Sequence, residues 1–181
     1  MSDSVYRNST NLLISPTNTV DIVAHDGTTK GLKLGGTLVT ATALETNRAC
    51  DVSGRLVNLT AATLTLSVAV HEGRIVTVNK ADGTAITLPA ASGSGAKFQL
   101  FIGTTITSGS TTIKVANSSD TMVGFGTIFQ DGGDTALQFE IGGTDDTLTF
   151  DGSTMGGIKG DMIELIDIAT NLWYVKETLS G

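Results

Sequence analysis

The chain of 181 residues contains little cysteine, proline, aromatic side chain or charge. Its single cysteine, Cys50, cannot form an intrachain disulfide and has no second thiol with which to complete a metal site. There are two prolines, 5% aromatic residues and 16% charged residues. Hydrophobic residues still make up 40% of the chain, which excludes a disordered protein solvated by its charges. We therefore expect a globular protein without redox chemistry.

Positive charge is especially scarce, because 11 lysines and arginines face 18 acidic residues and give a net charge of -7. This balance disfavours binding to a nucleic-acid backbone or an anionic membrane. No stretch approaches the roughly 18 apolar residues of a membrane span. The opening MSDSVYRNST has neither the basic nor the apolar region of a secretory signal. We expect a soluble chain with no nucleic-acid or membrane partner.

Threonine and glycine, at 29 and 22 residues, are the abundant residue types, and they favour strands joined by tight turns. From residue 63 onward roughly ten short segments alternate or cluster apolar residues between turn signals. Residues 63–70 (TLTLSVAV) predict one half-buried strand, and KADGT at 80–84 predicts a hairpin turn. DMIELIDIA and LWYVKETL predict a terminal antiparallel hairpin in which Trp173 and Val175 share one face. We predict an all-β fold, an antiparallel β-sandwich or jelly-roll-like domain over 57–181.

Residues 1–56 differ, because their apolar runs are shorter and are broken by turns. Thr42 and Glu45 have the spacing of a capping box, so a helix of about two turns is predicted to run to Cys50. A helix this short is marginal alone in water. We expect it to pack against the downstream domain or against another chain.

Two motifs invite a chemical interpretation. ASGSGAK at 91–97 is glycine-rich like a phosphate-binding loop, but the Gly-Lys-Ser/Thr ending is missing and a strand follows, so we expect a flexible hairpin loop. GGTDDTLTFDG at 142–152 offers hard oxygen ligands for calcium. It occurs once and its glycines are out of register, so we expect an aspartate-rich turn. The candidate ligands in it are Asp145, Asp146 and Asp151.

Catalytic and metal-binding signatures are weak. His25 and His71 are the only histidines, neither has a second ligand at metal spacing, and no G-x-S-x-G motif is present. We expect no enzyme activity, no catalytic residue, no metal site and no cofactor. Trp173 could serve as a sugar-stacking platform, but its place on a patterned strand favours the core. Three lysines are expected on solvated strand faces: Lys97, Lys114 and Lys176.

The segment GLKLGGTLVTATALETNRACDVSG at 31–54 resembles a stretch that recurs in structural proteins of tailed bacteriophages. The later segments RIVTVN, TLPAASGSGAKFQLFIG, KVANSSDTMVGF and TMGGIKGDMIELIDIATNLWYVKETLSG are similar to the decoration (cement) and head-fibre-like proteins of such phages. The resemblance covers most of residues 20–181. It departs at Leu44-Glu45-Thr46, where the commoner pattern has Ala-Glu-Leu. Its motifs are turn and core patterns.

The resemblance implies a homotrimer that binds the major capsid protein on the outer surface of the virion and stabilises the shell. Residues 1–56 would then contact the capsid and form the trimer, while 57–181 would project outward. The expected capsid contacts are Leu12, Leu13 and Ile14. The expected residues of the trimer or packing helix are Leu44, Thr46 and Ala49. The alternative function is the base of a head or tail fibre, or a receptor-binding module, of a phage particle.

Overall fold

The computed structural model describes residues 6–7, 12–13, 33–34, 37–41, 46, 54–133 and 135–181. The chain divides into two compact units, Met1–Val52 and Ser53–Gly181. The sequence predicts a boundary at 56/57, between a segment expected to contact a capsid and a β domain. The roles assigned to the two parts stay predictions.

The first unit contains two short antiparallel ladders in its described residues. Strand β1 (Tyr6–Arg7) pairs with β2 (Leu12–Leu13), and β3 (Lys33–Leu34) pairs with β4 (Thr37–Leu38). Each ladder is two residues long. A two-stranded ladder of this size is not stable by itself in water.

The second unit is built from two larger sheets. The prediction of a mostly β fold is confirmed, since 53% of the structure is strand and 5% is helix. One short helix, α1 (Val68–His71), and a 3-10 turn, Asp131–Gly133, also occur in the second unit. Its strands are β5 (Leu56–Leu59), β6 (Thr63–Thr65), β7 (Ile75–Val78), β8 (Ala85–Thr87), β9 (Lys97–Ile102), β10 (Thr111–Lys114), β11 (Thr121–Gln130), β12 (Thr135–Asp145), β13 (Thr147–Phe150), β14 (Met162–Ala169) and β15 (Leu172–Ser180).

The first six of these strands lie alternately in the two sheets, so the chain winds between the sheets as a parallel coil. The seven-stranded sheet has the order β12-β11-β15-β14-β9-β7-β5, and the four-stranded sheet has the order β13-β10-β8-β6. Strands β5, β7 and β9 lie parallel to one another in the first sheet, and β6, β8 and β10 do so in the second. Parallel neighbours require a crossover connection. Here each crossover contains a strand of the opposite sheet.

Antiparallel pairing completes both sheets. β11 pairs with β12, and β14 pairs with both β15 and β9, while β13 pairs with β10. A fifth parallel pairing, β11 with β15, joins the two hairpins. The expectation of a wholly antiparallel domain is therefore wrong, because the sheets of the second unit are mixed. Alternation along a strand specifies its buried face but not the direction of its neighbour.

Two local predictions also need correction. The turn at 80–84 forms, since Gly83 N–H donates to the Lys80 carbonyl at 3.2 Å and Gly83 has a φ of 84°. It joins β7 to β8 in different sheets and so makes no hairpin. The strand predicted over 63–70 ends at Thr65, and the chain continues into α1. The helix leaves Val68 and Val70 exposed, so the alternating pattern there does not face the core.

One hydrophobic cluster receives side chains from both sheets. The C-terminal hairpin β14–β15 is confirmed, and Trp173 and Val175 are both fully buried on one face, as predicted. Trp173 packs against Phe98 of β9 with ring centroids 5.8 Å apart. Asn171, in the turn between the strands, has a φ of 64°. Asparagine tolerates this left-handed conformation better than most residues.

Candidate functional site

The residues predicted to contact the capsid or to form the trimer lie in the first unit. Leu12 and Leu13 form β2, and Ile14 lies outside the described residues. Thr46 is helical and exposed. Leu44 and Ala49 lie outside the described residues, so the packing face of the predicted helix stays a prediction.

The serine-glycine loop, residues 92–95, surrounds a carboxylate of its own chain. Asp167 on β14 accepts hydrogen bonds from three successive backbone N–H groups of this loop, with the shortest at 2.8 Å from Gly93. The hydroxyls of Ser92 and Ser94 donate to the same carboxylate at 3.1 and 2.7 Å. Gly95 N–H donates to the Asp167 backbone carbonyl at 2.9 Å. The loop is therefore anchored along its whole length.

Asp167 is 2% exposed, yet it is held as an anion. Burial raises the pKa of Asp167, but the hydrogen bonds from Ser94, Gly93 and Ser92 outweigh burial and lower the pKa to about 2. The expectation of a flexible hairpin loop is wrong, because the loop joins β8 to β9 in different sheets and is tied to Asp167. Its donors do bind an anion, which is this carboxylate.

A second feature, the edge cleft, lies between the edge strands of the two sheets. Its volume is about 390 Å³. Strand β12 ends the order of the seven-stranded sheet, and β13 ends the order of the four-stranded sheet. Successive residues of both strands, 139–141 and 147–150, line the cleft, which therefore follows the strand edges. Its apolar side chains include Ile128, Leu137, Phe139, Leu148, Phe150 and Met155.

Glu177 is the buried polar group of the edge cleft. It lies on the same buried face of β15 as Trp173, Val175 and Leu179, and it is 3% exposed. Its Oε1 atom is buried and accepts no hydrogen bond from any residue that the structure describes. An acid placed in an apolar core without donors is costly when ionised.

The protonation of Glu177 follows from these surroundings. Burial is the main cause that raises the pKa of Glu177, and the negative charge of Asp161 adds to it, bringing the pKa to about 7. Asp161 is 1% exposed, but its oxygens accept N–H hydrogen bonds from Gly157 at 2.7 Å, Ile158 at 3.0 Å and Ser180 at 2.7 Å. Glu177 therefore lies beside a satisfied carboxylate and is itself unsatisfied.

The aspartates considered as calcium ligands bond to their own turns. Asp151 accepts from the N–H groups of Ser153, Thr154 and Met155, and these bonds hold the pKa of Asp151 well below its usual range, the Met155 bond most. Asp145 accepts from Gly142 N–H at 2.8 Å. Within the described part of the chain, no group of three or more His, Cys, Asp or Glu side chains is placed to hold a metal.

The other residues singled out in the sequence are Trp173, the two histidines and three lysines. Trp173 is fully buried, which confirms its place in the core. His71 is buried at the end of α1, its Nδ1 accepts from Ser67 N–H at 3.0 Å, and burial lowers the pKa of this imidazole. His25 lies outside the described residues. The three lysines expected on solvated faces are exposed, as predicted: Lys97, Lys114 and Lys176.

Sequence reasoning missed Asp167 and Glu177, two of the four acids buried among the described residues, although the sequence contains a signal for each of these two. Asp167 continues the alternation of Ile163 and Leu165 on β14, and Glu177 interrupts the apolar series on β15. An acid at a core-facing position of a strand is rare unless it is paired. The signal was therefore that each acid occupies a core-facing position in the strand alternation, and it was not a sequence motif.

Comparison with known proteins adds no identity: no protein-family model matches the chain, and no curated protein matches it significantly. No helix within the described residues is long and apolar enough to cross a membrane.

Proposed function

We propose that the protein is a structural component of a tailed-bacteriophage particle, which binds the outer surface of the assembled capsid as a homotrimer and stabilises it. The major capsid protein is the partner, and residues 1–56 make the contact through Leu12, Leu13 and Ile14. A trimer that binds several capsid subunits only in the assembled shell stabilises that shell by mass action. The resemblance of residues 31–54 and of the later segments to decoration proteins supports this function.

The structural observation that carries the proposal is the contrast between the two units. The described ladders of the first unit are two residues long, whereas the second unit has eleven strands and a continuous apolar core. Ladders of two residues cannot repay their ordering entropy alone. A partner surface that adds backbone hydrogen bonds to these strands would stabilise them.

At the level of the fold, we propose that the two larger sheets pack face to face as a β-sandwich. Core-facing side chains of both sheets belong to one hydrophobic cluster, which supports this arrangement. The parallel coil of β5 to β10 distinguishes this sandwich from a jelly roll, whose strands pair antiparallel.

Co-sedimentation with undecorated capsids tests the capsid contact. Deleting residues 1–20 is expected to weaken attachment at least about tenfold, or about 1.4 kcal/mol, and to leave the β-rich circular dichroism largely intact. Equal attachment of the truncated and full chains would exclude Leu12, Leu13 and Ile14 as the capsid contact. Light scattering of the free protein is expected to give the mass of a trimer, and a single-chain mass at micromolar concentration contradicts the trimer.

An aromatic patch favours the second candidate, a fibre base or receptor-binding module. Phe125 and Phe129 on β11 are 45% and 53% exposed, and Phe125 makes an edge contact with Tyr174 at 6.4 Å. Exposed aromatic rings are enriched at recognition surfaces. Electron micrographs of particles with and without the protein separate the candidates, because decoration covers the shell and a fibre base marks discrete attachment points.

A further inference from the structure

The edge cleft combines apolar walls with one buried acid, Glu177, whose Oε1 atom has no hydrogen-bond partner among the described residues. Leu137 and Met155 at its margin are 58% and 48% exposed, whereas Glu177 is 3% exposed. A ligand that enters past these apolar side chains meets a carboxylate that lacks a donor. Such a site fits an occupant with an apolar stem and one positively charged or hydrogen-donating end.

Charge restricts the occupant further. The ionisable residues that line the cleft are all acidic: Glu140, Asp145 and Glu177. Burial and the nearby charge of Asp161 raise the pKa of Glu177, so the site disfavours further negative charge. A cation placed against Glu177 would offset the repulsion that Asp161 exerts on it. A lysine side chain fits this site, because its apolar stem can contact the apolar walls while its ammonium group reaches the acid.

The shape of the cleft favours an extended polypeptide as the carrier of that lysine. Strands β12 and β13 each pair with one strand only among the described residues, so each has a free edge. Consecutive residues of both strands line the cleft, which brings their backbone edges within reach of an occupant. An added strand gains main-chain hydrogen bonds at such an edge, and its alternate side chains enter pockets.

We propose that the edge cleft binds an extended segment of a partner protein, which adds to the edge of β13 and places a lysine ammonium group against Glu177. The partner is a different protein, since this chain has a net charge of -7 and is a poor source of cationic surface. The proposal uses residues of the second unit alone and none of the predicted capsid-contact residues Leu12, Leu13 and Ile14. It therefore stands whether or not those residues bind a capsid.

The test uses the full chain and a synthetic peptide of about seven residues, an ordinary strand length. The peptide is acetylated and amidated, alternates valine with threonine, and carries a central lysine. A second peptide has norleucine in place of the lysine, which keeps the stem and removes the charge. Calorimetry is expected to show the lysine peptide binding at least about tenfold tighter, about 1.4 kcal/mol. Absence of binding by the lysine peptide, or equal binding by both, overturns the proposal.

Two variants locate the interaction. Glu177→Gln is expected to remove the preference for lysine over norleucine, because it removes the charge and keeps the shape. Glu164→Gln is the matched control, since Glu164 lies on the opposite face of the same sheet, paired with Lys97 at 3.0 Å. The control should keep the preference. Loss of the preference in Glu164→Gln, or its survival in Glu177→Gln, places the lysine elsewhere and overturns the assignment.

Backbone pairing and self-association are tested separately. Methylating alternate backbone nitrogens of the peptide blocks one of its edges, so one of the two methylated series should lose binding. Unchanged binding by both series contradicts strand addition. The occupant would be a second copy of this chain, against the proposal, if Glu177→Gln changed the mass of the full-length protein measured by light scattering.

Discussion

Asp167 and Glu177 are two acids buried to the same degree, at 2% and 3% exposure, at opposite ends of the β14–β15 hairpin. Asp167 lies near the turn and is surrounded by the donors of the serine-glycine loop, and its pKa falls to about 2. Glu177 lies near the open end beside the edge cleft, has an unpartnered oxygen, and its pKa rises to about 7. Burial raises the pKa of both acids.

The difference between these two regions is the supply of donors. A carboxylate that accepts several N–H and O–H groups remains ionised in a core, whereas one without them holds its proton near neutral pH. The region around Asp167 is closed and complete within the chain. The region around Glu177 is open and leaves an interaction unmade, which is why the edge cleft, and not the serine-glycine loop, is the candidate binding site.

Removing the Asp167 carboxylate should have the largest effect on stability. Asp167→Ala removes the charged acceptor of five N–H and O–H donors of the serine-glycine loop, and the free energy of unfolding should fall by about 4 kcal/mol. Urea unfolding measures the change. Asp146→Ala is the control, because Asp146 is exposed and its carboxylate accepts one bond, from the Thr147 hydroxyl, so the effect should stay within about 0.5 kcal/mol. Equal effects of the two variants would mean that the loop is not anchored by Asp167.

Replacing Glu177 should raise the free energy of unfolding, whereas replacing Asp167 lowers it. The folded protein holds the Glu177 proton more tightly than the unfolded chain, so stability is complete below pH 4.5 and is lost as the pH rises through about 7. Glu177→Gln avoids this loss. It should raise the free energy of unfolding at pH 8 by about 3 kcal/mol and change it little at pH 4. A variant that is less stable than the native chain at pH 8 contradicts the assignment.

The ionisation of Asp167 should also be visible in how the free energy of unfolding changes at acid pH. Its pKa is depressed in the folded state, so its contribution is present above pH 3.8 and is lost as the pH falls through about 2. The difference in unfolding free energy between the native chain and Asp167→Asn should therefore shrink by about 2 kcal/mol between pH 5 and pH 2. Urea unfolding at the two pH values measures it. A difference independent of pH shows that Asp167 is not ionised in the way described.

The smallest expected effect concerns the influence of Asp161 on Glu177. Asp161→Asn keeps an acceptor for the surrounding N–H groups and removes the negative charge. The pKa of Glu177, followed by carbon NMR of its carboxyl group, should fall but remain above the ordinary value of 4.5, because burial is the larger cause. A return to 4.5 would show that charge repulsion, and not burial, controls Glu177.

Local sequence predicted several elements because their signals involve neighbouring residues. The alternation in β14 and β15 around the turn at 170–171 predicted an antiparallel hairpin with Trp173 in the core, and the structure confirms both. From residue 63 onward the sequence predicted roughly ten strands, and the described residues there form ten. Period-two alternation and turn residues act within a few positions, so they can be recognised without knowing the fold.

The sequence did not predict which strands and residues these elements contact. The turn at 80–84 was recognised, but nothing local states that β7 and β8 enter different sheets. The serine-glycine loop was recognised, but its acceptor, Asp167, lies 73 to 75 residues away. The edge cleft depends on two strand edges and on Glu177 of β15.

Local patterns in the sequence were enough to predict a chain rich in β strands, the position of most turns and the apolar faces of the terminal strands. The parallel coil, the donors that keep Asp167 ionised and the lack of donors to Glu177 among the described residues follow from the tertiary structure only. These features differ in the range of the interactions that produce them. Backbone conformation and alternation depend on adjacent residues, whereas sheet pairing and the hydrogen bonding of a buried acid depend on residues that folding brings together.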